Sequence, residues 1–253
     1  VTKPLLSIIT GTRNRPNDFR RLVDSIGRYT TVPWELVVSD ASDTPIENET
    51  VATADTWPHI RILPERPRLG CTLGYNRAFR EAQGDWVLWL NDDCVVEPVY
   101  ADEAIGFMVA HPQIGLGAIP YAEPGQPKYR ANSYFGMIYA NFGILSREFG
   151  NQVGWFDEDF PMYGADNALA FKVLLAGKGI ASVPGARIYH FATHDQHRIE
   201  NGDEAQRQRD CELILIKYRH RLKEMRQTYE KTRLPSDSQH DQTPPWMTEQ
   251  ASR

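Results

Sequence analysis

The stretch Gly84-Asp85-Trp86-Val87-Leu88-Trp89-Leu90-Asn91-Asp92-Asp93 constrains this chain more than any other. Five large apolar residues in a row, Trp86 to Leu90, suit a strand buried on both faces and are too few for a helix. The strand runs straight into two adjacent carboxylates. In an open α/β sheet the residues just past the carboxyl end of a strand line the ligand crevice, so Asp92 and Asp93 are presented there. Such a pair, with an amide beside it, suits a hard divalent cation, Mn2+ or Mg2+, holding a diphosphate. The alternative is a solvated Asn-Asp-Asp turn; the apolar strand before it favours a site.

The flanking sequence repeats this design. Leu5 to Thr10 is a second apolar strand, closed by a polar loop, Gly11 to Pro16, whose proline is poised to open a helix. Phe19, Leu22, Val23 and Ile26 then recur at helical spacing and give that helix one apolar face. Trp34 to Ser39 is a strand ending in Asp40-Ala41-Ser42-Asp43, and His59 to Leu63 is a shorter one. Pro64 to Gly70 leads to a helix capped by Thr72 and ended near Gly84. Strand, helix, strand, strand, helix, strand is the rhythm of a Rossmann-like, mostly parallel sheet covered by helices.

Beyond Asp93 the rhythm loosens. Tyr100 to His111 reads as a helix with Ala104, Ile105 and Met108 inward, and Ile114 to Ile119 as a strand. Tyr121 to Asn132 is rich in proline, glycine and charge and reads as a mobile loop. Tyr134 to Leu145 reads as glycine-interrupted strands, Gly154 to Phe160 as a turn, and Ala165 to Ala176 as a helix. Ile180–Val183 and Arg187–His190 are short strands, followed by a polar loop with three histidines, His190 to His197. From Glu204 to Tyr229 the residues Cys211, Leu215, Tyr218, Leu222, Met225 and Tyr229 alternate steps of four and three. That is an amphipathic helix, able to pack on the domain or to pair with a copy of itself. Leu234 to Arg253 is polar and reads as disordered.

Composition excludes more than it assigns. A net charge of −5 over 253 residues gives no support for nucleic acid or anionic membrane as the main partner. No run is apolar enough to span a bilayer, and Val1 opens on a strand-like segment, so no leader is expected. Cys71, Cys94 and Cys211 are odd in number and widely spaced, which argues against a disulfide framework or a zinc site and for a cytoplasmic location.

Four separated stretches together carry a family resemblance. LLSIITGTRNRP looks like the first strand and loop, and VVSDASD like the second-strand acidic turn, of glycosyltransferase family 2. RLGCTLGYNRAFREAQGDWVLWLNDD looks like that family's helix leading to its DXD-type motif. FDEDFPMYGADNALAFKVLLAGKGIASVPGARIYH looks like the segment carrying its catalytic base and then a metal-binding histidine. The chain therefore resembles the inverting, GT-A-fold nucleotide-sugar transferases over about residues 4–195. Two positions depart from the pattern. Asn91 stands where the motif usually has an acid, and Ala165 where an acid usually precedes the base.

The resemblance implies a GT-A domain over residues 1–203, with about 1–98 as the nucleotide-binding half and 99–203 as the acceptor and catalytic half. Residues 204–230 would form the C-terminal helix and 231–253 a disordered tail. Asp93 and His190 would ligate Mn2+ or Mg2+, with His194 as the substitute ligand. Asp92 would contact the donor ribose or the metal shell, and Asp166 would be the catalytic base. Thr12 and Arg13 would lie under the nucleobase, Asp40 would accept from its edge, and Arg68 and Asn76 would contact phosphate or ribose. Each residue also has a plainer role open to it: an Asx turn for Asp40, a solvated side chain for Arg13, a structural histidine for His190, a helix cap for Asp166. Trp155 and Tyr163 are either acceptor-stacking rings or core. The expected substrates are a nucleoside-diphosphate sugar and an acceptor hydroxyl on a glycan, a lipid-linked sugar or a small molecule. The 204–230 helix is a candidate for homo-oligomerisation. A sugar nucleotidyltransferase or a non-catalytic nucleotide- or carbohydrate-binding protein are the alternatives. The first would need a glycine-rich triphosphate loop, and Gly11 to Arg15 is poor in glycine.

Overall fold

A computed structural model describes residues 3–46, 59–193, 204–235 and 237. Its first half follows the apolar pattern closely. Strands β1 (Leu6–Thr12), β2 (Trp34–Asp40), β3 (Ile60–Pro64) and β4 (Trp86–Trp89) pair in parallel in the order β4-β1-β2-β3. Val87, Leu88, Trp89 and Leu90 are all buried, as a strand covered on both faces requires. Helix α1 (Pro16–Tyr29) starts on its proline and buries Phe19, Leu22, Val23 and Ile26, the face the spacing defines.

Helix α2 (Cys71–Glu81) is entered from Gly70, not capped by Thr72. The Thr72 hydroxyl bonds instead to the carbonyl of Phe160, tying α2 to a loop eighty-eight residues away. Capping is local and visible in sequence; this tie is not.

The second half turns the sheet mixed. Strand β5 (Cys94–Val96) leaves the main sheet, helix α3 (Tyr100–Ala110) follows, and β6 (Ile114–Ala118) rejoins it. The segment expected to be a mobile loop forms a hairpin, β7 (Tyr121–Glu123) and β8 (Gln126–Arg130). Its polar residues are paired, not solvated: Glu123 meets Arg130 across the hairpin and His190 sixty-seven residues on. Strands β9 (Asn132–Tyr134) and β10 (Met137–Tyr139) pair with each other. Strand β11 (Gly143–Ser146) then runs antiparallel between β4 and β6. After the short helix α4 (Arg147–Val153) come α5 (Ala165–Leu175), β12 (Gly179–Ser182) and β13 (Ile188–His190).

The main sheet has the order β12-β6-β11-β4-β1-β2-β3, and a second sheet the order β5-β13-β7-β8. The second sheet serves the site directly. Strand β13 pairs with β5 in a register that sets His190 opposite Cys94, next to Asp93.

The C-terminal helix is not one rod. Helices α6 (Glu204–Tyr218) and α7 (Leu222–Thr232) are separated by a 3-10 turn at Arg219–Arg221. Ile214, Tyr218, Met225 and Tyr229 join the core beneath α5 and β12, and Cys211 is buried as well, while Leu215 is only half-buried. The stripe read as a possible dimer seam thus packs on its own domain. The expected tail also begins too early: Lys231 and Thr232 are helical, and buried Asp237 accepts from the amides of Ser182 and Leu234. Residues 238–253 and His194, with most of the loop around it, lie outside the described residues.

Candidate active site

The cleft forms where β1, β2 and β4 end. Asp92 and Asp93 follow β4 and are almost fully buried, 4% and 2% exposed. Arg15, at the entry to α1, donates to Asp92 Oδ1 at 3.2 Å. Burial pushes Asp92 up to about 7, opposed by Arg15 and reinforced by the neighbouring charge of Asp93. Asp93 behaves oppositely. Burial works to raise it, but His190, the Thr193 amide and Arg15 outweigh burial and hold it below the ordinary carboxylate range. The Thr193 N–H donates to Asp93 Oδ2 at 2.9 Å.

That leaves Asp93 Oδ1. It lies 3.2 Å from His190 Nε2, and both atoms are buried with no aligned hydrogen-bond partner among the described residues. The other ring nitrogen, Nδ1, sits 2.9 Å from Glu123 Oε1. Donation of Nδ1–H to Glu123 leaves a lone pair on Nε2, 3.2 Å from a carboxylate oxygen. Two buried acceptors facing each other are stable only with a positive charge between them, a proton or a metal ion. One carboxylate oxygen and one imidazole nitrogen fit Mn2+ and Mg2+. Magnesium in particular is commonly held by one or two carboxylates plus substrate phosphates, not by an all-protein cage. No group of three or more His, Cys, Asp or Glu side chains placed to hold a metal ion occurs among the described residues.

Asp166 lies in the first turn of α5. Gly164 sets the entry: its φ is 84°, and a Cβ there would approach the Ile214 side chain to 2.8 Å. Asp166 Oδ1 accepts from the Asn167 amide at 2.8 Å and Oδ2 from Asn141 Nδ2 at 3.3 Å. Burial pushes its pKa up to about 6, against the two backbone amides that favour the charged form. Asn141 is held in turn, its carbonyl by Trp89 Nε1 at 2.9 Å and its side-chain oxygen by Asn132 at 2.6 Å. Asn132 also donates to Tyr121 Oη at 2.8 Å, and the Tyr121 ring packs against His190 at 5.9 Å. One continuous set of contacts therefore joins Asp166 to the Asp93–His190 pair.

The remaining sequence candidates separate. Arg13 keeps a buried Nε without a partner among the described residues, and so does the Thr12 hydroxyl, at the end of β1. Asp40 is fully buried; its two oxygens accept from the amides of Ser42 and Ile46, each at 3.0 Å. It forms the Asx-type turn and holds the loop that follows β2. Arg68 is turned back on that loop, to the Ala41 carbonyl at 2.9 Å and to Asp43. Asn76 ties α2 to the Phe156–Glu158 turn. Its Nδ2 donates to the Phe156 carbonyl at 3.0 Å and to Glu158 at 2.9 Å, and its Oδ1 accepts from the Phe156 amide at 3.1 Å. Trp155 is core, stacked on Phe79 at 4.6 Å. Tyr163 is half-exposed beside Arg207, with its amide held by buried Asp210. Arg15, Glu123, Asn132 and Asn141 were missed. Only Arg15 had a signal, its place in the loop after the first strand; the others lie in segments read as loop or irregular strand.

A parallel α/β half ending in a carboxylate pair, continued by an antiparallel strand and a small second sheet, is the GT-A architecture. The model for glycosyl transferase family 2 matches residues 7–173, about two-thirds of the chain, and the chain belongs to that family. Among curated relatives, the O-antigen biosynthesis protein RfbC of Myxococcus xanthus is 28% identical over 74% of this chain and 17% of its own length. An uncharacterized glycosyltransferase of Haemophilus influenzae is 26% identical over 44% of this chain and 37% of its own. The chain thus spans well under half the length of these relatives. Among solved structures, the mannosyltransferase PcManGT from Pyrobaculum calidifontis, in complex with GDP-Man and Mn2+, superposes with a TM-score of 0.61. It is 16% identical over 79% of this chain and 60% of that one. GalNAc-T7 with UDP, GalNAc and Mn2+ gives a TM-score of 0.63 at 14% identity, over 75% of this chain and 43% of that one. Among the described residues no helix is long and apolar enough to cross a membrane.

Proposed function

We propose that this chain is a metal-dependent, inverting glycosyltransferase. It moves a sugar from a nucleoside-diphosphate donor to an acceptor hydroxyl, with Asp93 and His190 holding Mn2+ or Mg2+ and Asp166 acting as general base. The observation that supports this most is a pair of buried atoms, Asp93 Oδ1 and His190 Nε2, 3.2 Å apart and without an aligned hydrogen-bond partner among the described residues. A divalent cation bound there would neutralise the charge that builds on the departing diphosphate. Arg15, already at Asp92, can turn its guanidinium to the same phosphate oxygens. Arg13, whose buried Nε has no partner among the described residues, and Thr12, at the end of β1, would serve the nucleoside.

Asp166 takes the proton of the acceptor hydroxyl as that oxygen attacks the anomeric carbon from the face opposite the diphosphate, which inverts the configuration. A base is most effective with a pKa near the working pH, and burial has moved Asp166 to about 6 while the helix N-terminus keeps the charged form accessible. Its rivals are poor bases. Asp157 is bound by Lys217 at 2.6 Å and by Tyr218 at 3.1 Å, and Lys217 also holds Asp159. Although burial works to raise Asp157, these partners hold it below the ordinary range. The DXD position Asn91 is exposed, with its Oδ1 3.2 Å from Tyr75 Oη, and both Asp92 and Asp93 persist behind it.

The test is turnover of a panel of nucleoside-diphosphate sugars with and without Mn2+. Release of nucleoside diphosphate with Mn2+, abolished by EDTA and lowered about a hundredfold or more by Asp166→Asn, is the expected result. Release of pyrophosphate would instead identify a nucleotidyltransferase, and no turnover with any donor a binding protein.

A further inference from the structure

Glu123 lies outside every motif of the family resemblance, yet it completes the charge arrangement behind His190. Strand register brings it there. On β13 and β7, Ile188 pairs with Tyr121 and Tyr189 with Ala122, so the next residues in each strand, His190 and Glu123, come side by side. Glu123 Oε1 lies 2.9 Å from His190 Nδ1, and Glu123 Oε2 is held by Arg130 NH2 at 2.6 Å. Arg130 in turn sits over the Tyr121 ring at 5.0 Å. The imidazole is walled edge-to-face by Tyr121 at 5.9 Å and Phe142 at 5.3 Å. Its plane is thus fixed by two aromatic rings and its rotation about that plane by a carboxylate. The nitrogen left over, Nε2, lies 3.2 Å from Asp93 Oδ1.

Keeping Arg130, Glu123, His190 and Asp93 together at low exposure is unfavourable unless the charges are paired in order, and stability alone is a weak reason to retain such a row. The row has one consistent use. A histidine that ligates a metal through one nitrogen needs its other N–H bound by an acceptor, which sets the tautomer and the ring's aim and makes the ligating nitrogen more basic.

Resting on the reading that Asp93 and His190 hold the cation, we propose that Glu123, braced by Arg130, is the positioning residue for the His190 ligand. The hairpin β7–β8 is then the back wall of the metal site and not a surface loop. Glu123 itself does not touch the metal.

The experiment is titration of the full chain with Mn2+ alone, followed by electron paramagnetic resonance of the free ion. Wild type, Glu123→Ala, Glu123→Gln and Asp93→Ala are compared, each checked for a cooperative thermal melt. Long-range 15N NMR of the histidine rings, with Mg2+ in place of Mn2+, reports which nitrogen of His190 carries the proton. The expected results are saturable binding by wild type and its loss in Asp93→Ala. Glu123→Ala should weaken affinity about 10–100-fold. Glu123→Gln keeps size and packing, so a residue that merely fills space would be fully rescued by it. A positioning carboxylate would not be, and the NMR should show the Nδ1-protonated form giving way to a mixture. If Asp93→Ala is lost but both Glu123 variants bind within twofold of wild type with the tautomer unchanged, the proposal is overturned and the metal assignment stands. Binding by Asp93→Ala equal to wild type, or no saturable binding by wild type, overturns the metal assignment and the proposal with it.

Discussion

Asp166→Asn should make the protein more stable as well as less active, and the gain should depend on pH. The carboxyl titrates near 3.8 in the unfolded chain and near 6 in the folded one, because burial disfavours the charge. A folded-state value raised above the unfolded one means that folding favours the protonated form. The stability this contributes is complete below about pH 4 and is lost as pH rises through about 6. The difference of roughly two pKa units corresponds to about 3 kcal/mol against the ionised wild type at pH 8. Asparagine removes that charge but not all of the contacts. Its oxygen can still accept from the Asn167 amide, whereas its NH2 meets the Asn141 NH2, whose own oxygen is committed to Asn132. That mismatch subtracts about 1 kcal/mol. The net expectation is a stabilisation of about 2 kcal/mol at pH 8, or about 4–8 °C in Tm for a chain of this size. It should vanish or reverse by pH 4. Urea unfolding of both proteins at pH 8 and pH 4 measures it, with equal slopes required for the comparison. No stabilisation at pH 8, or the same stabilisation at both pH values, would refute the claim that Asp166 is a desolvated carboxylate.

Three further outcomes follow from contacts away from the chemistry. Asn76→Ala leaves the Phe156 amide and carbonyl unpaired behind α2 and should lower stability by about 2–4 kcal/mol, read by urea unfolding, with donor affinity changed little if the protein remains folded. Asp40→Ala frees two loop amides and should cost about 1–3 kcal/mol while leaving discrimination among nucleotides intact; a blurred preference in binding assays would restore Asp40 to the base edge. Val99 is an exposed, β-branched residue held at φ 61° before α3, so Val99→Gly should raise stability by about 1 kcal/mol, seen as a higher urea midpoint with an unchanged slope.

The sequence spoke clearly wherever structure is set by near neighbours. The run Trp86–Leu90, the α1 face from Phe19 to Ile26 and the carboxylates closing β4 all stand where periodicity and strand chemistry put them, because burial on one face repeats every two or three to four residues. It was silent wherever a polar side chain finds a partner far along the chain. Thr72 was read as a cap because its local context suits one, but Phe160 claims its hydroxyl. Asn76 looked like a ligand contact because an asparagine in a glycine-bearing helix has no local partner; its partners are Phe156 and Glu158. Glu123 and Arg130 made the β7–β8 hairpin look like solvent-exposed loop, because charge reads as exposure until the histidine sixty-seven residues on is placed beside it. The amphipathic stripe of α6 and α7 was visible, but not its destination: an exposed helix face and one packed on its own domain have the same periodicity.

If Asp93 and His190 hold a divalent cation, a nucleoside diphosphate should bind through it. Calorimetric titration of UDP, GDP, dTDP and CDP into wild type and Asp93→Ala, each with Mn2+ and with EDTA, tests it most directly. The expected result is saturable binding of at least one diphosphate with Mn2+, at least tenfold weaker in EDTA and likewise weakened in Asp93→Ala. Binding of a diphosphate with equal affinity in Mn2+ and EDTA, or binding untouched by Asp93→Ala, would contradict it.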